Sequence, residues 1–180
     1  MKTIRKIHII GGAGSGKTYA AGRIAEMLGI RANDLDNIFW DNTDESYKLK
    51  AIPELRDKRL KEILLTESWI IEGVYFKWLS ESFQKADLII LLMPNNTICT
   101  FRIISRFIKR KIGLIPSKKK ETIKGLIELI QWNHRYNKED IPYILRLLKP
   151  YKDKMRIFSN ADEAVDYVNK RLSKLRSAGL

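Results

Sequence analysis

Apolar positions along this chain follow two rhythms, and the change from one to the other marks its elements. Thr3 to Ile10 is dominated by β-branched and apolar residues and stops at glycines, which predicts a first strand. In Lys17 to Leu28 the residues Tyr19, Ala20, Ile24, Met27 and Leu28 recur near helical spacing, and Gly29 is placed to stop the helix. Leu35 to Phe39 is expected to be a short second strand and the polar run Asp41 to Lys50 a loop. Pro53 opens a helix through Leu55, Leu60, Ile63 and Leu64 to about Thr66, and Trp69 to Ile71 form a third strand ending at Glu72 and Gly73. A helix is expected over Phe76 to Lys85. Leu88 to Met93, bounded by Asp87 and Pro94, is a continuous apolar run of strand length, the pattern of a central strand covered on both faces. Asn95 to Lys111 is helical and basic, Gly113 to Lys119 breaks the pattern, and Glu121 to Asn137 and Ile141 to Leu148 resume it. Arg156 to Phe158 is the last strand and Asp162 to Leu175 the closing helix.

Five strands separated by helices predict an α/β three-layer sandwich with a mainly parallel sheet and right-handed crossovers. With 180 residues the chain has the length of one ordinary domain, so one unit over residues 1–180 is expected. Hydrophobic residues make up 44% and charged ones 31%, without repeats or low-complexity tracts, which excludes a disordered chain. Cys99, the single cysteine, excludes an internal disulfide and a paired-cysteine zinc site, and reads as a buried thiol. Neither the N-terminal segment nor the run Leu88 to Met93 has the length of a signal or membrane segment, so a cytoplasmic location without a membrane partner is expected.

The junction of the first strand and first helix carries the chemistry. Gly11, then Gly12, Ala13, Gly14 and Ser15, then Gly16, Lys17 and Thr18 complete the pattern G-x-x-x-x-G-K-[ST]. Small residues let the backbone curl its N–H groups around phosphate oxygens, and the helix that follows adds positive charge at its N-terminus. Lys17 would reach the β- and γ-phosphates of ATP, and Thr18 would ligate Mg2+. A dinucleotide loop is the competitor, since Gly12 and Gly14 begin G-x-G-x-x-G, but the position of its third glycine is Lys17.

In an open α/β sheet ligands sit beyond the carboxyl ends of the strands, which singles out two acids. Glu72 would hold the metal through water or orient the acceptor. Asp36 would take the proton of an acceptor hydroxyl or hydrogen-bond it. His8, inside the first strand, and His134, among polar neighbours, lack the partners of metal ligands.

The segments HIIGGAGSGKT, LDNIFW, PELR, SWIIEGVY and FRIISRFIKR together resemble the adenylate-kinase-related, FlaR-like DNA topology modulation proteins. That resemblance implies a fold similar to nucleoside monophosphate kinases, with a P-loop core, an acceptor region after the second strand and an arginine-bearing lid over about residues 102–140. Asp36 and Trp40 match the family's LDxxxW. Arg56 matches its acidic-aromatic-Arg segment and would clamp an anionic acceptor. Glu72, Gly73 and Tyr75 fall on its W-[VI]-[ILV]-D-G-N-Y stretch, which makes Tyr75 a further acceptor-binding residue. The chain departs from the family at Glu72 in place of Asp, at Val74 in place of Asn, and at Asp41-Asn42-Thr43 in place of Pro-Gly-Trp, all where an acceptor would bind.

The formal charge is +13, and Asn95 to Lys120 holds Arg102, Arg106, Lys109, Arg110, Lys111, Lys118, Lys119 and Lys120 without an acid. Arg102, Arg106 and Arg110, four apart, stack on one helix face. Such a face is favourable when it meets triphosphate oxygens under a closed lid. Arg135, in QWNHRYN, is a further lid candidate, whereas Trp132, Tyr136 and Trp78 are expected to pack a core or brace the lid. The leading reading is an ATP- and Mg2+-dependent phosphotransferase acting on a small acceptor such as a nucleotide or nucleoside. Two alternatives stay open: a nucleotide-regulated nucleic-acid-binding protein that tracks phosphates through residues 95–120, and an ATPase without an acceptor.

Overall fold

The computed structural model describes residues 4–40, 49–116 and 121–177. Four parallel pairings build one five-stranded sheet from β1 (Lys6–Gly11), β2 (Ala32–Asp34), β3 (Trp69–Gly73), β4 (Leu88–Leu92) and β5 (Met155–Phe158), in the order β2-β3-β1-β4-β5. The helices between them cover both faces: α1 (Lys17–Leu28), α2 (Asp36–Phe39), α3 (Pro53–Leu64), α4 (Ser80–Lys85), α5 (Asn96–Lys111), α6 (Ile123–Arg135), α7 (Ile141–Leu148) and α8 (Ala161–Ser177). One turn of π-helix, Tyr136–Asp140, joins α6 to α7.

The period of two along each strand divides the core. Ile7, Ile9, Ile70, Leu88, Ile90 and Leu92 pack with Ala20, Ala21 and Ile24 of α1 and Ala164 and Val168 of α8. Ile10, Trp69, Ile71, Ile89 and Leu91 face the opposite layer, with Leu60 and Leu64 of α3, Phe83 of α4, and Ile141, Ile144 and Leu148 of α7. Strands buried on both faces read as mostly apolar, β-branched runs, continuous in β4 and broken by His8 in β1, which is why β1, β3 and β4 were visible in the sequence. β1, not β4, is the central strand, with β4 beside it.

The second strand departs from expectation. It is Ala32–Asp34, and Leu35 to Phe39 turns into the short helix α2 instead. The Asp34 carboxylate accepts from the Asp36 backbone N–H at 2.8 Å and bends the chain out of the sheet. Leu35 and Ile38, three residues apart, are then both buried by a helical turn. The helix expected over Phe76 to Lys85 is confined to Ser80–Lys85, because Tyr75 to Trp78 is used in an aromatic wall described below. Most of the expected loop Asp41 to Lys50, and part of the break Gly113 to Lys119, lie outside the described residues.

His8 lies wholly buried on the α4 side of β1, its Nδ1 2.6 Å from Ser82 Oγ and its ring 4.8 Å from Phe83. Burial depresses its pKa to about 3, so it stays neutral and structural. No described helix is long and apolar enough to cross a membrane. Because Ile90 is fully buried, Ile90→Ala should lower unfolding free energy by about 2–5 kcal/mol, read as a reduced urea midpoint at unchanged slope.

Candidate active site

Parallel pairing brings the carboxyl ends of β1, β2 and β3 to one edge. Ile9 is in register with Glu72, and Glu72 with Asp34, so the glycine loop after β1 opens beside both acids. Within the loop Gly14 (φ 73°) and Gly16 (φ 94°) are left-handed, a backbone state that side chains disfavour. Close approach adds a second requirement for glycine. A Cβ on Gly14 would lie 2.6 Å from the Cys99 carbonyl oxygen of α5, and one on Gly12 would lie 2.6 Å from Asn133 Oδ1 of α6. Gly11, Gly12, Ala13 and Ser15 are buried, and the Ser15 hydroxyl has no hydrogen-bond partner among the described residues.

Lys17 donates from Nζ to the Gly12 carbonyl at 3.2 Å, so its ammonium is folded back over the loop's mouth. Thr18 donates from Oγ1 to Glu72 Oε1 at 2.6 Å. Glu72 is only 2% exposed, and its Oε2 is buried without a hydrogen-bond partner among the described residues. Burial pushes the Glu72 carboxyl above the ordinary range; Lys17 and the Thr18 hydrogen bond oppose this, and the charges of Asp34 and Asp36 add to it. A buried carboxylate oxygen lacking a donor, beside the hydroxyl that follows the P-loop lysine, fits a divalent cation. Among the described residues no cluster of three His, Cys, Asp or Glu forms a metal site unaided, so phosphate oxygens would have to complete the shell around Thr18 and Glu72.

Two connected hollows flank this pair. The smaller, about 180 Å3, is lined by Gly14, Gly16, Lys17, Thr18, Arg102 and Arg106. Arg102 donates from Nη1 to the carbonyls of Gly14 at 3.3 Å and Ser15 at 3.5 Å, which pins α5 onto the loop. The larger cleft, about 640 Å3, runs from Ala13, Lys17 and Thr18 past Glu72 to Asp34 and Asp36, walled by Phe39, Trp40, Tyr75 and Trp132, with Arg106 and Arg110 on its rim. Arg110 is paired with Glu121 at 3.0 Å. Tyr75 donates its hydroxyl to Asp36 Oδ1 at 2.7 Å, and burial followed by the Asp36 charge drives its pKa up, so it remains a donor.

The structure thus gathers the whole loop, Asp36, Glu72, Tyr75, Arg102 and Arg106 around connected space. Two expected site residues lie outside it. Arg56 is paired with Asp57 at 2.8 Å and set over the Trp78 ring at 4.6 Å. Arg135 lines a separate surface hollow with Asn96 and His134. Asn133 escaped the sequence reading: it is fully buried, donates to Asn96 Oδ1 at 3.2 Å, and lies against Gly12. Its signal was present in QWNHRYN, where Asn133, Tyr136 and Asn137 share one helical face.

Gly14→Ala should cost more than about 1 kcal/mol, since it adds a left-handed strain to a backbone collision. A lowered melting temperature and weakened ATP affinity would read it out. For Glu72, a pKa raised in the fold means that its contribution to stability is fully present below the unfolded pKa and is lost as pH rises through the folded one. In metal-free protein, Glu72→Gln should therefore gain stability relative to the parent as pH increases beyond the ordinary carboxylate range. Urea melts between about pH 4 and 8 would show a widening difference, and Mg2+ with nucleotide should narrow it in the parent alone.

No family model matches the chain. The uncharacterized protein YqaC of Bacillus subtilis (strain 168) is 30% identical over 88 residues, 49% of this chain and 48% of YqaC. The match therefore spans about half the length of that curated relative. Among solved structures, a gluconokinase from Sinorhizobium meliloti 1021 superposes with a TM-score of 0.55 at 13% identity, covering 97% of this chain and 95% of that one. A shikimate kinase from Acinetobacter baumannii, in complex with shikimate, gives 0.50 at 18% identity over 99% and 96%. At such identities the likeness is one of fold, and the fold is the α/β three-layer sandwich of the P-loop nucleotide-kinase type.

Proposed function

We propose that the chain is an ATP- and Mg2+-dependent phosphotransferase acting on a small acceptor. The observation that carries this reading is the Thr18–Glu72 pair, a buried carboxylate with one orphaned oxygen at the foot of a complete P-loop, opening onto a cleft long enough for a second substrate. The fold shared with gluconokinase and shikimate kinase structures supports it, as does the sequence resemblance to the FlaR-like proteins.

In this reading the loop N–H groups from Gly12 to Thr18 cradle the phosphates, and Lys17 leaves the Gly12 carbonyl for the β- and γ-oxygens. Mg2+ held by Thr18 and Glu72 would neutralise charge on the phosphates. Arg102 and Arg106 face the hollow over the loop and stabilise charge on the migrating group. Asp36, fixed by the Tyr75 hydroxyl, accepts the proton of the acceptor's hydroxyl. Residues 102–140 act as a lid on a single kinase unit, with Arg110 of α5 tied to Glu121 just ahead of α6. Positioning and electrostatics supply the catalysis, so no covalent intermediate is required of the protein.

Transfer of label from the γ-position of ATP across a panel of hydroxylated metabolites tests the reading. Acceptor-dependent ADP release is expected, and Lys17→Ala should reduce it by about 10²–10³-fold. If no acceptor outpaces water, the ATPase alternative replaces the kinase. Tight, salt-sensitive DNA binding that survives Lys17→Ala would favour the nucleic-acid alternative.

A further inference from the structure

The acceptor end of the cleft has a composition unlike its donor end, and the difference selects a ligand. Lys17, Arg102 and Arg106 surround the hollow over the loop, where phosphate charge belongs. The far wall carries Asp34 and Asp36. Arg56, the residue the family resemblance would assign to an anionic acceptor, is withdrawn: Asp57 and the face of Trp78 hold its guanidinium, and it is absent from the cleft lining. Arg110, on the rim, is occupied by Glu121. At that wall an anionic acceptor would meet two carboxylates, and Arg106, the remaining arginine of the cleft, also faces the phosphate hollow, whereas hydroxyl and amino groups would find a hydrogen-bond acceptor in Asp36.

Shape points the same way. Phe39 stacks on Tyr75 with ring centroids 4.4 Å apart and 27° between planes, Trp40 meets Phe39 edge-on at 5.0 Å, and the Lys50 ammonium lies 5.7 Å from the Phe39 ring centre, outside the cleft lining. Both Phe39 and Trp40 are partly exposed to the cleft, and Trp132 of α6 borders it as well. Aromatic faces beside hydrogen-bond acceptors suit a flat ring carrying N–H and O–H donors.

We infer that the acceptor is an uncharged, ring-bearing alcohol, with a nucleoside as the nearest common chemistry, rather than a nucleoside monophosphate or a sugar acid. The inference rests on the phosphotransferase reading. In the step, an acceptor hydroxyl oxygen forms a bond to the γ-phosphorus, and the bond from that phosphorus to the β–γ bridging oxygen breaks. Its electron pair leaves with ADP, and the hydroxyl proton passes to the Asp36 carboxylate.

The test compares adenosine, guanosine, cytidine and thymidine with their 5′-monophosphates, and with gluconate and shikimate, in two measurements on the full chain. Binding is read by isothermal titration with the nonhydrolysable ATP analogue and Mg2+ present, and turnover by coupled ADP release. At least one nucleoside should bind and turn over on the order of tenfold or more better than its own monophosphate and than either acid. Asp36→Asn should shrink that ratio in binding, because it removes a repelling charge, and Phe39→Ala should weaken the nucleoside by about tenfold while leaving gluconate unchanged. Equal or tighter binding of the monophosphate or the sugar acids would overturn the inference, as would no nucleoside binding at millimolar concentration, and the parent protein alone decides either. Asp36-dependent nucleoside preference in binding without acceptor-dependent ADP release would leave the ligand class standing and overturn phosphoryl transfer instead.

Discussion

A carboxylate buried at the end of β3 organises everything around it. Glu72 lies two residues beyond Ile70 on the same face of the strand, so the alternation that sends Ile70 into the core beneath α1 also delivers the Glu72 carboxylate to the N-terminus of that helix. There one oxygen accepts from Thr18 and the other has no donor among the described residues. Burying such a group is unfavourable unless a charge compensates it, and Lys17 is the cation that acts on it. The arrangement is one that a cation with its phosphates would complete. The sheet register makes this unavoidable, because Ile9, Glu72 and Asp34 lie in one row across three strands.

Most of this was legible from residues whose type and local spacing leave little choice. The P-loop needs small residues at fixed positions, and the strand before it and helix after it follow from β-branched and 3.6-residue periodicity. β4 announces itself as an unbroken apolar run, and β1 and β3 as short β-branched, apolar stretches that stop at glycine. β2 did not, since Ala32, Asn33 and Asp34 are poor strand formers. They pair because β3 offers an edge, with Asn33 donating to the Ile70 carbonyl at 3.1 Å. Arg56 shows a different limit. Its type and place in the order of motifs fit an anion clamp, yet a neighbouring aspartate and a tryptophan ring 22 residues away in sequence capture it, and only tertiary packing reveals that.

α5 is held to the loop by its backbone as much as by its arginines. The Cys99 carbonyl lies against the place a Gly14 side chain would occupy, and Arg102 reaches the carbonyls of Gly14 and Ser15 from the next turn of the helix. Repulsion among Arg102, Arg106 and Arg110 is relieved differently at each: loop carbonyls take the first, Glu121 takes the third, and the second faces both hollows. A basic face that looks like a nucleic-acid surface in the sequence is thus partly consumed by contacts within the fold. Phosphates arriving at the loop would meet Arg102 with carbonyl hydrogen bonds to exchange for stronger, charge-assisted ones.

The opposite side of the loop is held by α6 through neutral groups. Asn133 is fully buried against Gly12, with its amide donating to Asn96 at the start of α5, and Asn137 donates to that same oxygen at 3.3 Å. Tyr136, between them in sequence, sends its hydroxyl across to the Val74 carbonyl at 3.1 Å, beside Glu72 and Tyr75. The end of α6 and the π-turn after it therefore bring one segment into contact with the glycine loop, the base of α5 and the strand end beside Glu72. A Cβ at Gly12 would collide with this packing, so helix packing by itself calls for glycine there. The Asn96–Asn133 pair thus joins α5 to α6 beside the loop, so a displacement of α6 would reach α5 through it, while α5 also bears on the loop directly through Cys99 and Arg102.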